Sequence, residues 1–210
     1  MTEKGGLNSE LQGYYDRVEL VRQDAFQLVG GLSEEQCAWR PALNRWSIAQ
    51  CLEHLNATAR NYFPLINNTI NNARPSGLLG PGPYRHGWLG SFYARMVLPP
   101  PRLRVPSPRR FTPPPDRPMS EILPSFLNFQ DRLQELIAHA SGVDLGRATV
   151  ISPVTSLIKF SLGSTLAIIV GHEERHLWQA RQVRDLVEFP QPVPTPPESQ
   201  ETDPDRKEFS

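Results

Sequence analysis

The chain is poor in cysteine, in net charge and in long apolar runs, and each shortage removes a class of explanation. Two cysteines, Cys37 and Cys51, do not make a disulfide framework for 210 residues. Lysine plus arginine balances aspartate plus glutamate at 22 each, for a formal charge of zero. Such a balance gives no long-range field for phosphate backbones or anionic lipids, so neither nucleic acid nor membrane is expected as a partner. The four arginines between Arg102 and Arg110 stand among prolines and read as a solvated loop. The longest strongly apolar run, Thr165 to Val170, is far too short to cross a bilayer. The start, Met1-Thr2-Glu3-Lys4-Gly5-Gly6, has no apolar stretch of the secretory kind, and a reduced, cytoplasmic protein is expected. No Ser-His-Asp order and no glycine-rich phosphate loop stands out.

Proline is what the chain has in excess. Twelve of the 22 prolines fall between Pro75 and Pro118, and six more between Pro190 and Pro204. Proline removes a backbone donor and clashes with the preceding turn, so neither region is continuous helix. The first is expected to be a mostly irregular connection with one short helix around Leu89 to Val97. The second, 188–210, is expected to be a tail that samples polyproline II and ends in a disordered acidic stretch.

Four amphipathic segments remain. The first is expected to start at Ser9, with Gln12 completing a capping box. Its stripe of Leu11, Tyr15, Val18, Val21, Ala25, Leu28 and Val29 ends at Gly30-Gly31. A short turn follows at Ser33 to Gln36. The second opens with a capping box at Ser47 and Gln50 and carries Ile48, Leu52, Leu55, Ala59, Phe63, Ile66 and Ile70. Pro64 predicts a kink or an interruption within it. The third runs from near Ser120 through Ile122, Phe126, Leu133, Leu136 and Ile137 to Gly142, with Pro124 near its first turn. The fourth runs from about Ser161 to Val187, its core face being Leu162, Leu166, Ile169, Val170, Leu177, Ala180 and Val187. No segment alternates long enough to build a sheet. The pattern predicts an all-α four-helix bundle over 1–187, with the long proline-rich connection at 75–118 between its second and third helices.

His172 and His176 lie four residues apart in Gly171-His172-Glu173-Glu174-Arg175-His176, on one helix face. Two imidazoles so placed can converge on one ion. The string HEERH matches the zincin H-E-x-x-H pattern, but zincins need a third ligand and a sheet that this chain does not offer. His54, in the second segment, flanks the apolar stripe beside Cys51 and Thr58, where it can meet the fourth helix at a bundle seam. Three histidines with an open fourth position is the ligand set of a catalytic zinc site; nickel, iron and manganese also accept imidazole. The alternative is three unmetallated polar side chains.

On ordered landmarks the chain resembles the DinB-like (YfiT-like) metal-dependent enzymes, which include bacillithiol-type thiol S-transferases. Leu32-Ser33-Glu34-Glu35-Gln36, Trp39-Arg40-Pro41 and Arg45-Trp46-Ser47-Ile48-Ala49-Gln50 look like that family's connection between its first two helices. His54 matches its first ligand; His172 and His176, followed by Leu177-Trp178-Gln179-Ala180, match the second and third and a trailing glutamine. The resemblance implies a four-helix bundle, commonly a homodimer, with one divalent metal ion, zinc or nickel ahead of iron or manganese. It also implies a small-molecule substrate and chemistry through water (a hydrolase) or a low-molecular-weight thiol (an S-transferase). The alternative is a non-catalytic, stress-associated bundle that binds metal or ligand without turnover. The insertion at 75–118 and the tail depart from the pattern.

Other residues are read more plainly. Glu173 projects to the centre of the fourth helix's stripe and is a candidate to orient an imidazole or hold a proton, or else to pair with an arginine of another helix. Gln179 shares the histidine face and is a candidate to hydrogen-bond a metal-bound water, or else a bundle-seam residue. Cys51 reads as a small buried hydrophobe rather than a fourth ligand. His86 reads as a surface turn rather than a substrate wall folded over the pocket, His139 as a favourable charge at a helix C-terminus, and Trp39, Trp46 and Trp178 as packing in or around the core.

Overall fold

The computed structural model describes residues 7–100, 107–114 and 117–191, and the expectations for the acidic tail lie outside them. Six helices and one small hairpin follow in chain order: α1 (Ser9–Val29), α2 (Glu34–Ala38), α3 (Ile48–Ala73), α4 (Trp88–Met96), α5 (Met119–His139), β1 (Thr149–Ile151), β2 (Lys159–Ser161) and α6 (Leu162–Arg184). A 3-10 turn, Arg109–Phe111, lies in the proline-rich connection.

The bundle consists of α1, α3, α5 and α6, as the apolar stripes require. Both α1 and α3 pack on α5 and α6, which leaves α1 and α3 on opposite corners. The core has two apolar layers. One gathers Leu11, Ile66, Ile70, Leu133, Ile137, Leu166 and Val170. The other gathers Leu28, Ile48, Leu52, Ile122, Phe126 and Leu177. At the level where the layers meet, the helices turn buried polar side chains inward: His54, Asn56 and Thr58 from α3, Gln130 from α5, Glu173 and His176 from α6. That polar belt is where the site lies.

Local chemistry explains most of the boundaries. The α3 capping box at Ser47 and Gln50 forms as the sequence predicts, and so does the box at Ser33 and Gln36 that opens α2. For α1 the cap is Asn8, not Ser9: the Asn8 side chain accepts from the Leu11 N–H. Helix α5 has no side-chain cap of its own, because Pro118 stands at its N-cap position. The Glu34 carboxylate of α2 supplies the cap instead, accepting from the Met119 and Ser120 N–H groups at 2.6 and 2.9 Å. Gly31 and Gly142 end α1 and α5 with φ of 76° and 79°, a backbone region open to glycine.

Besides the α1 cap, four expectations need correction. Pro64 does not interrupt α3, which runs unbroken to Ala73. Pro64 and Arg60, whose carbonyl loses its partner, are both exposed, so water meets the missing bond. Val187 lies past the end of α6 and is 95% exposed, while Val183 and Phe189 carry the packing there. Residues 149–161 do form a sheet, an antiparallel hairpin pairing Val150 with Phe160; its three-residue strands are too short to show alternation. His86 is no surface turn. Its Nε2 stands 2.7 Å from Glu10 Oε1 and its Nδ1 3.1 Å from Ser161 Oγ, pinning the connection to α1 and to the start of α6. Within the connection, α4 falls where a short helix is expected. It lies on α6, with Gly90 against Ser164 and Val97 and Leu98 against Gly171.

Candidate metal centre

His54 comes from the second turn of α3, His172 and His176 from successive turns of α6, and the packing of these two helices brings the rings together. His54 Nε2 is 3.2 Å from His172 Nε2, which is 3.1 Å from His176 Nε2. All three ligand nitrogens lie within 4.8 Å of one another. His54 and His176 are buried, and His172 is half-buried.

The surroundings fix the rings. His54 Nδ1 donates to the Phe111 carbonyl at 2.6 Å, which places the proton on Nδ1 and turns the Nε2 lone pair into the cluster. Trp46 lies against His54, with ring centroids 4.8 Å apart, and stacks on His176 at 5.6 Å with planes 29° apart. Phe111 meets the edge of His54 and stacks near Tyr62. The 3-10 turn of the proline-rich connection thus forms a wall of the site.

Burial disfavours the charged form of all three rings. Burial pulls the His54 pKa below its usual value, partly offset by the Phe111 carbonyl. His172 is lowered to about 3 by burial, then by His54 and Arg175. His176 is lowered well below 6.5 by burial and by its histidine neighbours, with Gln179 acting weakly the other way.

A divalent ion suits this donor set. Three imidazole nitrogens about 2.0–2.1 Å from one ion stand roughly 3.0–3.4 Å apart, the separation found in two of the three pairs. Neutral rings provide at most one well-directed N–H···N bond across those two contacts, since His54 Nε2 carries no proton. A shared cation removes the remaining conflict between lone pairs. His54, His172 and His176 are the residues that would hold it.

The other expected residues fall outside this trio. Glu173 is buried, as its place in the stripe predicts, but it faces α5: Gln130 Nε2 donates to its Oε1 at 3.1 Å. Among the described residues its Oε2 has no partner, nor has Gln130 Oε1. Burial pushes the Glu173 carboxyl up from 4.5 to about 8, against a lowering by Gln130. Among the described residues it makes no ion pair with an arginine. Gln179 is near enough to His176 to affect its charge, yet His176 Nδ1 is left without a well-formed bond. Cys51 is fully buried in the apolar layer, and burial alone pushes its thiol far up. His139 stays exposed in the last turn of α5.

A profile of the DinB superfamily matches residues 17–180, spanning the bundle from α1 to α6. The chain belongs to the DinB superfamily. No curated protein and no solved structure matches it. In this DinB-superfamily chain, Phe111 and Gln130 went unmarked in the sequence. Phe111 acts through a carbonyl, which every residue has. Gln130 did carry a signal, as the polar residue between Phe126 and Leu133 in the core register of α5.

Proposed function

We propose that this protein is a metal-dependent enzyme whose His54, His172 and His176 hold one divalent ion, zinc or nickel ahead of iron or manganese. The observation that carries the reading is the Nε2 cluster at 3.1–3.2 Å, with the His54 tautomer set by the Phe111 carbonyl. An ion held by three imidazoles supplies Lewis acidity, lowering the pKa of a water or thiol that binds it. The rest is the work of the chain. Trp46 and Phe111 exclude water from one side of the rings and hold them in place. Gln179, beside His176 but without a well-formed bond to its Nδ1, would hydrogen-bond water in the site. Glu173, one turn before His176, is the group to hold a proton, its carboxyl pushed up by burial and facing Gln130 of α5 rather than the rings. The substrate class is a small molecule, hydrolysed or joined to a low-molecular-weight thiol.

Two supporting features concern setting. Both cysteines are free and buried, which suits a reducing cytoplasm. Exposed Leu20 and Phe26 on α1 favour pairing with a second copy as a homodimer.

The alternative, a bundle that binds metal without turnover, draws on one observation. Two clefts among the described residues, one between α1 and α6 and one beside Gly80 to Arg85, are lined by no triad residue. To separate the readings, chelated protein is reloaded with zinc or nickel and assayed for ester hydrolysis and for addition of a small thiol to an electrophile. Turnover by the reloaded parent and not by His172→Ala supports the enzyme. Bound metal with no turnover in any assay supports the alternative.

A further inference from the structure

The overall charge balance conceals a strong local imbalance. The sequence has no aspartate or glutamate between Glu53 and Asp116, and none between Asp144 and Glu173. These two acid-free stretches are neighbours in the fold. The first contains α4 and the 3-10 turn, the second the β1–β2 hairpin. Tyr93 of α4 meets Phe160 of β2 edge-on at 5.4 Å, and the Arg110 guanidinium donates to the Pro153 carbonyl in the hairpin loop.

The adjoining surface is apolar where a solvent face ought to be polar. Gly90, Ala94 and Val97 fall on the face of α4 that packs on α6. At i, i+4 and i+7, Trp88, Phe92 and Arg95 fall on the opposite face, with Trp88 80% and Phe92 52% exposed. The hairpin loop adds Leu157, 91% exposed, and Val154. The same two acid-free stretches expose Arg95, Arg109 and Lys159, and among the described residues none of these three forms an ion pair with a carboxylate. Large apolar side chains scattered singly need no explanation, but several of them on adjoining segments that also expose cations do.

We infer that α4 and the hairpin loop form a docking surface for an anionic lipid bilayer. Tryptophan, phenylalanine and leucine bury into the boundary between headgroups and acyl chains, while arginine and lysine engage the anionic headgroups. The charge complementarity selects this occupant. A second copy of the chain would bring two cationic faces together. A nucleic acid would use the cations and the rings but has no place for the aliphatic Leu157 and Val154. The helices are not involved in spanning: among the described residues none is long and apolar enough to cross a membrane. The inference stands apart from the metal reading, since none of these residues belongs to the triad.

The test uses the full chain and sedimentation with vesicles of phosphatidylcholine alone or with about 30% phosphatidylglycerol. The parent is expected to sediment with the anionic vesicles and not with the neutral ones, and to be released by about 0.5 M NaCl. Trp88→Ser/Leu157→Ser is expected to bind at least roughly ten-fold more weakly, and Arg95→Gln or Arg109→Gln roughly five-fold each. Val187→Ser, past the end of α6 and 95% exposed, is the control and is expected to bind as the parent does. All these sites are exposed, and circular dichroism verifies the fold. Failure of the parent to bind anionic vesicles overturns the inference, as does equal binding of parent and Trp88→Ser/Leu157→Ser. Tighter binding to duplex RNA, unaffected by that double variant, reassigns the face to nucleic acid. Self-association lost in the double variant, without vesicle binding, reassigns it to a second copy.

Discussion

Replacing Glu173 by glutamine is expected to stabilise the metal-free protein above neutral pH while leaving it little changed in mild acid. The carboxyl is 4% exposed, accepts one bond from Gln130, and has its pKa pushed from 4.5 to about 8 by burial. Between those values the native state keeps a proton that the unfolded chain releases, so unfolding becomes easier as pH rises through that window and levels off above about 8. At about 1.4 kcal/mol for each tenfold change, the full effect is about 5 kcal/mol; partial relaxation and water entry bring the working range to about 2–5 kcal/mol. The glutamine amide would present an N–H₂ to Gln130 Oε1, which has no partner among the described residues of the parent. The variant therefore imitates the protonated acid at every pH. The buried histidines act in the opposite sense, since their lowered pKa values make stability fall as pH drops below 6.5. That contribution is common to both proteins and cancels in the difference. The assay is urea unfolding of chelated parent and Glu173→Gln from pH 5 to 8.5. The reasoning fails if the stability difference between the two does not change with pH, or if the variant is the weaker protein at high pH.

Two further outcomes concern packing. A Cβ at Gly163 would stand 2.1 Å from His86 Cε1, so Gly163→Ala is expected to push His86 off Glu10 and cost about 1–3 kcal/mol in urea unfolding, with more proteolytic cleavage between Pro75 and Trp88. Glu34→Ala removes the side-chain acceptor for the first turn of α5, and a loss of about 1 kcal/mol is expected; Glu34→Gln, which keeps one acceptor, is expected to lose less.

The bundle was legible because its signals are local. Stripes at three- and four-residue steps mark α1, α3, α5 and α6, and Ser47 with Gln50 places the start of α3 to the residue. The cap of α1 was misplaced by one position because Asn8 and Ser9 both suit it, and only the Leu11 N–H decides between them. What escaped depends on distant partners. His86 gains its meaning from Glu10, 76 residues away, and the cap of α5 comes from Glu34, 85 residues before it. The hairpin was missed because three-residue strands leave no periodicity to read. The three histidines were found through their spacing on α6, their flank on α3 and a resemblance. Their enclosure by Trp46 and the Phe111 carbonyl required the fold.

The most direct test of the account is the metal content of protein purified without a tag or chelator, read by plasma mass spectrometry after dialysis. About one divalent ion per chain is expected in the parent, and little in His54→Ala, His172→Ala or His176→Ala, each with parental helical content. His139→Ala, remote from the cluster, is expected to keep the full amount. A His54→Ala protein that holds metal as well as the parent would contradict the three-ligand centre and leave the His172–His176 pair standing alone.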